Sequence, residues 1–228
     1  FFGSAQDHKR VGEGDKGPNT GGMGAYSPAN LLTKKLEEKI KKKIIEPTLD
    51  ALKKMGHPYK GFLYVGLMIK NNEPYLIEYN IRMGDPECQA ILPRLKTDLL
   101  KIIVNTVNDN LKKTTINWKK KKSMTIVLCS KGYPGKYSSN KIIKNIYKLK
   151  LKRNEFIYHA GTKVLENNVF SNGGRVLNIT SLGNNLLHVR KKIINLILKL
   201  NWKHGFFRRD IGWREINKNE SYQRKIQR

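Results

Sequence analysis

The stretch Tyr75–Glu87 (YLIEYNIRMGDPE) concentrates side chains that could bind a metal ion and an anion. Glu78 and Asn80 stand two positions apart in an apolar run, so strand alternation would place both side chains on one face. A carboxylate and an amide oxygen on one face can share a hard cation such as Mg²⁺. Arg82 and Asp85 follow at once, and a metal pair beside an arginine suggests phosphoryl transfer. Spacing alone leaves open an edge strand with two solvated polar residues.

Two further segments carry residue types suited to an anion. Gln6–Arg10 (QDHKR) places Asp7, His8 and Lys9 side by side, although a charged surface loop would have the same composition. Gly17–Gly24 (GPNTGGMG) could turn several backbone N–H groups toward a phosphate. It lacks the Gly-Lys-Ser/Thr ending of a Walker loop, and glycine-rich turns without such a role are common.

A third polar segment lies in the second half of the chain. Arg175 follows two glycines in Ser171–Arg175 (SNGGR), and its guanidinium could donate several hydrogen bonds to a phosphate or a nucleotide. His159–Lys163 (HAGTK) precedes this segment. A pair of hairpin turns would explain most of these residues without any ligand.

The chain has 228 residues, of which 39% are hydrophobic, enough for one large domain or two small domains with cores. No apolar run is long enough to span a bilayer, and no signal segment opens the chain. Cys88 and Cys129 have no metal or redox spacing, which favours a reducing compartment. The start at Phe1, without an initiator Met, predicts a processed or truncated piece.

The formal net charge of +27 first suggests nucleic acid as a partner. However, the lysines fall on predicted helix faces and loop tips, and no aromatic-studded nucleic-acid motif is present. A solvated basic surface is therefore favoured over specific nucleic-acid binding. A basic, non-catalytic module that binds a polyanion stays open as the alternative function.

Periodicity and turn residues predict the elements that position these groups in the first half. In chain order they are a polar loop over Phe1–Ser27, a helix capped by Thr33 and running to about Lys54, a buried strand over Gly61–Ile69, a hairpin turn at Asn71-Asn72, a returning strand over Tyr75–Asn80 and a helix from Cys88 to about Leu111.

A lysine-rich stretch near Lys112–Lys122 predicts a boundary between domains over residues 1–115 and 120–228. Beyond it, short strands are predicted over Met124–Cys129, Glu155–Gly161, Val164–Leu165 and Gly174–Ser181, followed by a helix from Leu186 to about Leu200. Strands followed by a helix predict a small α+β domain. The charged tail after Asn217 is predicted to fray.

Taken together, these segments resemble the phosphoribosylamine–glycine ligases of the ATP-grasp superfamily. The matching pieces, in order, are AQDHKRVGEGDKGPNTGGMGAYSP, GFLYVGLMI, IEYNIRMGDPECQ, GYPG, HAGTK, NGGRVLNITSLG and RRDIGWR, which span residues 5 to 214. The resemblance is to the C-terminal half of that family. It implies an α+β fold, in which the C-terminal part of an ATP-grasp domain is followed by a small α+β C-terminal domain.

The resemblance also implies an activity. In this family ATP phosphorylates the carboxylate of glycine, and the amino group of 5-phosphoribosylamine then attacks the glycyl phosphate, giving glycinamide ribonucleotide in purine synthesis. The resemblance implies ATP and either Mg²⁺ or Mn²⁺ as cofactors. It also implies a cytoplasmic enzyme that is monomeric when intact and has no membrane partner and no specific nucleic-acid partner. The N-terminal half, with the phosphoribosylamine site and most ATP contacts, would be required, so this chain alone is expected to be inactive. A ligase for another acid or amine stays open.

Roles are carried over by position. The resemblance makes Glu78 and Asn80 metal ligands, assigns catalytic or substrate-side roles to Arg82, Asp85, Asp7 and His8, and assigns contacts with the cofactor or reaction intermediate to Lys9, Gly21, Gly22, Gly24, Lys163 and Arg175. The segment Gly84–Glu87 would shape the substrate side. Two positions depart from the family: Met83 stands where Phe is frequent, and Lys131, where a small residue is usual, predicts a displaced turn.

Overall fold

The computed structural model describes residues 1–218, so the tail predicted beyond Asn217 lies outside the described residues, Lys218 excepted. Among its helices are α1 (Lys34–Ile40), α2 (Glu46–Lys54), α3 (Glu87–Ile91), α4 (Leu99–Val107) and α5 (Leu186–Leu200). The strands are β1 (Gln6–Asp7), β2 (Arg10–Gly12), β3 (Lys16–Asn19), β4 (Gly24–Ser27), β5 (Tyr64–Lys70), β6 (Glu73–Asn80), β7 (Lys122–Ser130), β8 (Glu155–His159), β9 (Thr162–Leu165), β10 (Asn168–Ser171), β11 (Arg175–Gly183) and β12 (Gly205–Phe206). This mixture of helix and strand is the predicted α+β class.

An antiparallel sheet of order β1-β4-β7-β11-β8 forms the centre of the molecule. β11 follows one edge of β7 along its whole length. The other edge of β7 is shared end to end by β4, which pairs with Ser123–Ile126, and by β12, which pairs with Cys129 and Ser130. We refer to this assembly as the central sheet.

The core lies between one face of the central sheet and α5. Strand alternation places Met124 and Ile126 of β7 on this face, opposite Ile179 of β11, and all three are fully buried. From α5, Val189 and Ile193 are fully buried against them. Burying each such side chain stabilises the fold by roughly 1.5–3 kcal/mol. The predicted strand over Met124–Cys129 and the predicted helix from Leu186 are therefore confirmed.

The opposite face of the central sheet carries small polar side chains, including the fully buried Thr125 and Thr180. Their small size allows α3 to pack close to β4 and β7. α3 begins at Glu87, so this packing fixes the position of the polar segment that precedes it.

The prediction of a structureless loop over Phe1–Ser27 is wrong, because four short strands form there. β2 pairs with β3, whereas β1 and β4 join the central sheet. β4 runs beside β7, which lies about a hundred residues away in sequence, and glycine-rich composition carries no signal for so distant a partner.

The long helix predicted from Thr33 to about Lys54 is confirmed, because a π-helical turn over Lys41–Ile45 joins α1 to α2. The Thr33 side chain accepts a hydrogen bond from the Leu36 N–H. The single helix predicted over Cys88–Leu111 is wrong: α3 ends at Ile91, and α4 begins only after Asp98. Pro93 has no N–H for a continuing helix, and the Asp98 carboxylate caps a new one by accepting from the Lys101 N–H.

β5 and β6 form the predicted hairpin, whose turn residues Asn71 and Asn72 both have positive φ, +53° and +60°. The prediction that the first strand is buried is wrong for the described residues. Met68 is 59% exposed and Ile77 of β6 is 64% exposed. No further strand of residues 1–218 pairs with this hairpin, and these apolar side chains stay exposed although α1 contacts β6.

Strands from both predicted domains lie in the central sheet, since β1 and β4 precede the lysine-rich stretch and β7, β8, β11 and β12 follow it. The domain boundary between residues 115 and 120 stays a prediction made from the sequence. In the structure, the two parts are joined by continuous strand pairing.

Candidate active site

Two buried carboxyl groups occupy the centre of the candidate site. Asp7, at the end of β1, accepts a hydrogen bond from the His8 backbone N–H at 2.7 Å, and its Oδ2 lies 3.1 Å from Lys9 Nζ. Glu87, the first residue of α3, is 4% exposed and accepts a hydrogen bond from the Tyr64 hydroxyl at 2.8 Å. The two loops and the β5–β6 hairpin therefore converge on one polar cluster.

The electrostatics of this cluster follow from burial. Burial, reinforced by the charge of Glu87, raises the pKa of Asp7 to about 7, although Lys9 opposes the shift. Burial alone would lower the pKa of Lys9, but the carboxylates of Asp7, Glu87 and Glu78 outweigh burial and raise this pKa. Asp7 can therefore accept or release a proton near neutral pH, while Lys9 stays charged.

The predicted metal pair lies on β6 at the edge of this cluster. Glu78 pairs with Gly66 of β5, where a Cβ atom would lie 2.9 Å from Glu78 Cγ, so a glycine leaves space for the carboxylate side chain. Asn80 pairs with Tyr64. In the described part of the chain, no three His, Cys, Asp or Glu side chains are grouped to hold a metal ion. The oxygen donors fit Mg²⁺ or Mn²⁺, but a bound ion would need further oxygens, such as those of nucleotide phosphates.

The glycine-rich loop lies directly over Asp7. Gly22 has φ +119°, and a Cβ atom there would lie 2.9 Å from Asp7 Oδ1, so only glycine permits this approach. Gly24 lies elsewhere: it is buried within β4, and a Cβ atom would meet the Thr125 carbonyl oxygen at 2.6 Å. The structure thus brings Gly22 to the cluster and places Gly24 in the central sheet.

Arg175 and Asp85, predicted to contact ligands, contact each other. Arg175 Nη2 donates to Asp85 Oδ2 at 2.8 Å, and Nη1 donates to the Asp85 and Gly21 carbonyl oxygens, both at 3.0 Å. Gln89 Nε2 donates to the remaining Asp85 carboxylate oxygen at 3.0 Å. Both side chains therefore hold loops together in this structure.

His8 lies in the interior, 4% exposed, with both ring nitrogens engaged. Nε2 accepts a hydrogen bond from the Gly212 N–H at 3.0 Å, so the proton of the neutral ring is on Nδ1, which lies 3.3 Å from the Gly24 carbonyl oxygen. Burial, with the nearby Arg208 charge, lowers the pKa of His8 to about 4. This geometry connects β4 to the C-terminal part and leaves no nitrogen for a substrate.

Two other predicted residues form no hydrogen bond or ion pair with this cluster within residues 1–218. Arg82 is exposed and donates to the Met83 carbonyl oxygen at 2.9 Å. Lys163 pairs with Phe170 in the β9–β10 hairpin, and among residues 1–218 no hydrogen bond or ion pair joins it to Asp7, Lys9 or Glu87.

Sequence reasoning did not identify Tyr64 or Tyr133 as site residues, and it treated Glu87 only as part of a shaping segment. The signal for Glu87 was its place directly after Gly84-Asp85-Pro86. The two tyrosines carry no local signal, because their partners, Glu87 and Gly21, lie far away in sequence.

Models of one family match both parts of the chain. The model described as phosphoribosylglycinamide synthetase, ATP-grasp (A) domain, matches residues 1–88, and its C domain matches residues 123–214. Biotin carboxylase from Campylobacter jejuni shares the fold over 81% of this chain and 39% of its own, with a TM-score of 0.52 at 16% identity. Fold and matches define the class: the chain contains part of an ATP-grasp domain, followed by the C domain of the same family.

Relatives that match almost the whole chain define the family. Phosphoribosylamine–glycine ligase from Agrobacterium fabrum is 46% identical over 96% of this chain and 51% of its own length, and the chloroplastic enzyme of Arabidopsis thaliana is 45% identical over 95% and 42%. The crystal structure of the Thermotoga maritima ligase superposes with a TM-score of 0.75 at 32% identity, covering 91% of this chain and 50% of that one. The chain belongs to the phosphoribosylglycinamide synthetase family. It spans about half the length of the curated relatives it matches.

Proposed function

We propose that this chain is the metal-binding and substrate-binding half of an ATP-dependent ligase that joins glycine to 5-phosphoribosylamine, releasing ADP and phosphate. The observation that carries the proposal is the position of Glu78 and Asn80 on β6, beside the buried carboxyl groups of Asp7 and Glu87 and the half-exposed Lys9. Oxygen ligands next to a charged lysine and a carboxyl group that titrates near neutrality suit the phosphorylation of an acid followed by attack of an amine.

In this proposal each residue has a definite task. Glu78 and Asn80 would hold Mg²⁺ or Mn²⁺, which neutralises phosphate charge when bound. The exposed guanidinium of Arg82 is available to an anionic phosphoryl group. Asp7 accepts the proton that the attacking amine loses, because burial holds its pKa near 7. His8 positions β4 and takes no part in proton transfer, since both of its nitrogens are engaged.

The other half of the enzyme is required for turnover. The chain spans about half of its relatives, and the β5–β6 hairpin exposes apolar side chains that a missing layer would cover, namely Met68, Tyr75 and Ile77. We therefore place the remaining nucleotide contacts on a polypeptide that packs against this hairpin. The assembled enzyme would be a monomeric, cytoplasmic protein, a setting that suits the free thiols of Cys88 and Cys129. No helix of the described residues is long and apolar enough to cross a bilayer.

Glu78→Gln tests the metal assignment in the chain combined with a separately made N-terminal half. We expect ADP release that depends on both glycine and phosphoribosylamine to fall by about a hundredfold or more, because one of two protein ligands is lost. Glu38→Gln, on the exposed surface of α1, is the matched control and should leave the rate unchanged. Binding of Mn²⁺, followed by its electron paramagnetic resonance signal, should weaken only in Glu78→Gln.

Unchanged turnover and metal dependence in Glu78→Gln would contradict the metal assignment. Phosphate release that requires both substrates, catalysed by this chain alone, would contradict the need for the other half. If another acid or amine replaced glycine or phosphoribosylamine with a higher kcat/KM, the ligase class would stand and the substrates would be wrong.

A further inference from the structure

The guanidinium of Arg175 joins three parts of the molecule. It projects from the first residue of β11, and Nη1 donates to the carbonyl oxygen of Gly21 in the glycine-rich loop and to that of Asp85. Nη2 donates to the Asp85 carboxylate at 2.8 Å. Three acceptors use most of its hydrogen-bonding capacity, so in this structure the side chain acts between loops.

A second side chain from the C-terminal part fixes the same glycine. The Tyr133 hydroxyl accepts a hydrogen bond from the Gly21 N–H at 2.9 Å. The N–H and the carbonyl of Gly21 are thus held by two different side chains, Tyr133 and Arg175, and both come from residues after the lysine-rich stretch.

The loop held in this way covers Asp7. Gly22 lies against the Asp7 carboxyl group, as its hypothetical Cβ contact of 2.9 Å shows, and the backbone of Met23 pairs with that of His8. The Asp7 side chain is 8% exposed. Gly21 and Gly22 have no side chains that could keep water from Asp7, and Met23 packs into the core, so the shielding depends on how firmly the loop is held.

We propose that Arg175 is a positioning residue which, with Tyr133, latches the glycine-rich loop over Asp7 and keeps water from that carboxyl group. We call these hydrogen bonds the latch. The inference rests on the proposed function, in which Asp7 accepts the proton of the amine. In this proposal Arg175 does not bind phosphate directly, but limits the access of water to Asp7.

Hydrogen exchange of the full chain, without nucleotide or substrates, measures the latch directly. We expect Arg175→Met to speed amide exchange in residues 20–24 by about tenfold, because the loop loses a charged hydrogen-bond partner. Arg175→Lys should behave similarly, since its single ammonium nitrogen lacks the planar two-nitrogen fork that reaches Gly21 and both Asp85 acceptors. Arg153→Met, at an exposed position, is the matched control and should change nothing in this loop.

Tyr133→Phe is the second variant, which keeps Arg175 and removes only the hydroxyl acceptor of the Gly21 N–H. It should also speed exchange in residues 20–24, and it tests the latch even if Arg175→Met lowers the melting temperature. Unchanged exchange in this loop in a folded Arg175→Met and in Tyr133→Phe would overturn the latch.

The pKa of Asp7, followed by the carbon-13 shift of its carboxyl group, separates a latch from a simple charge effect. Loss of a nearby cation would raise this pKa by electrostatics. Entry of water would lower it, because burial is the main cause that holds it at about 7. We expect a fall in Arg175→Met, and a rise or no change would overturn the proposal. Neither measurement uses turnover, so failure of the latch is distinct from failure of the ligase assignment.

Discussion

The central sheet and the β5–β6 hairpin, both antiparallel, differ in what covers their apolar side chains. In the central sheet, Ile126 and Ile179 are fully buried beneath Ile193 of α5. In the hairpin, Met68 and Ile77 are more than half exposed. An isolated two-stranded hairpin is marginal in water, whereas a multistranded sheet covered by a helix is stable. One region of this chain therefore carries its own core, and the other leaves apolar side chains exposed, which we propose a separate polypeptide covers.

The largest expected effect comes from cutting a side chain in the completed core. Ile193→Ala should lower the free energy of unfolding by about 2–5 kcal/mol, because it removes buried apolar atoms and leaves a cavity. Urea denaturation of the chain measures this change. A loss below about 0.5 kcal/mol would mean that α5 is not packed as described, and the contrast between the two regions would disappear.

An intermediate effect is expected at the junction between the regions, at the neighbouring residues Asp7 and His8. Burial shifts the pKa values of these two side chains in opposite directions. Folding favours the protonated acid of Asp7, so its contribution to stability is full below the ordinary pKa of 3.8 and is lost as pH rises through about 7. Folding favours the neutral ring of His8, so its contribution is full above the ordinary pKa of 6.5 and is lost as pH falls through about 4.

Between pH 4.5 and 6.5 each group contributes a slope of about 1.4 kcal/mol per pH unit, and the two slopes have opposite signs. We therefore expect the stability of Asp7→Asn to rise with pH in this window, and that of His8→Gln to fall. Denaturation midpoints across this range measure both slopes. Exposed His57→Gln is the control and should follow the parent chain. Parallel slopes in Asp7→Asn and His8→Gln would show that one of these residues is not buried.

The smallest effect is expected in the hairpin. Ile77→Ala makes the same chemical change as Ile193→Ala, but at a side chain that is 64% exposed. In the chain alone the free energy of unfolding should change by no more than about 0.5 kcal/mol. Mixed with a separately made N-terminal half, the same variant should bind that half more weakly than the parent chain does, measured by titration calorimetry. Equal affinity would place the missing layer on another surface.

Local chemistry was predictable from the sequence, and distant pairing was not. The N-cap at Thr33 and the turn at Asn71-Asn72 follow from residues that act on their immediate neighbours. The pairing of β4 with β7 depends on residues about a hundred positions apart, and the glycines around β4 hide its strand character.

The site follows the same rule. The acidic and amide side chains of the metal pair are visible as a motif, but their role stays a proposal. His8 looks reactive in a charged segment, but burial, with the charge of Arg208 two hundred residues later, lowers its pKa and favours a neutral ring. Arg175 and Asp85 were each predicted to contact a ligand. Nothing in the sequence indicates that these two side chains contact each other.

The edge of β7 that β4 and β12 share end to end limits how the molecule can be divided. These two strands come from nearly opposite ends of the described chain, yet both depend on the same backbone for their hydrogen bonds. Separating the chain at the lysine-rich stretch would leave β4 without its neighbour and would unpair the Ser123–Ile126 part of that edge of β7, and unpaired strand edges of this kind promote aggregation. A nick there would break one covalent bond while the strand ladders still hold the two pieces together. Cutting the chain at the boundary predicted from the sequence would therefore produce two aggregation-prone fragments in place of one continuous sheet.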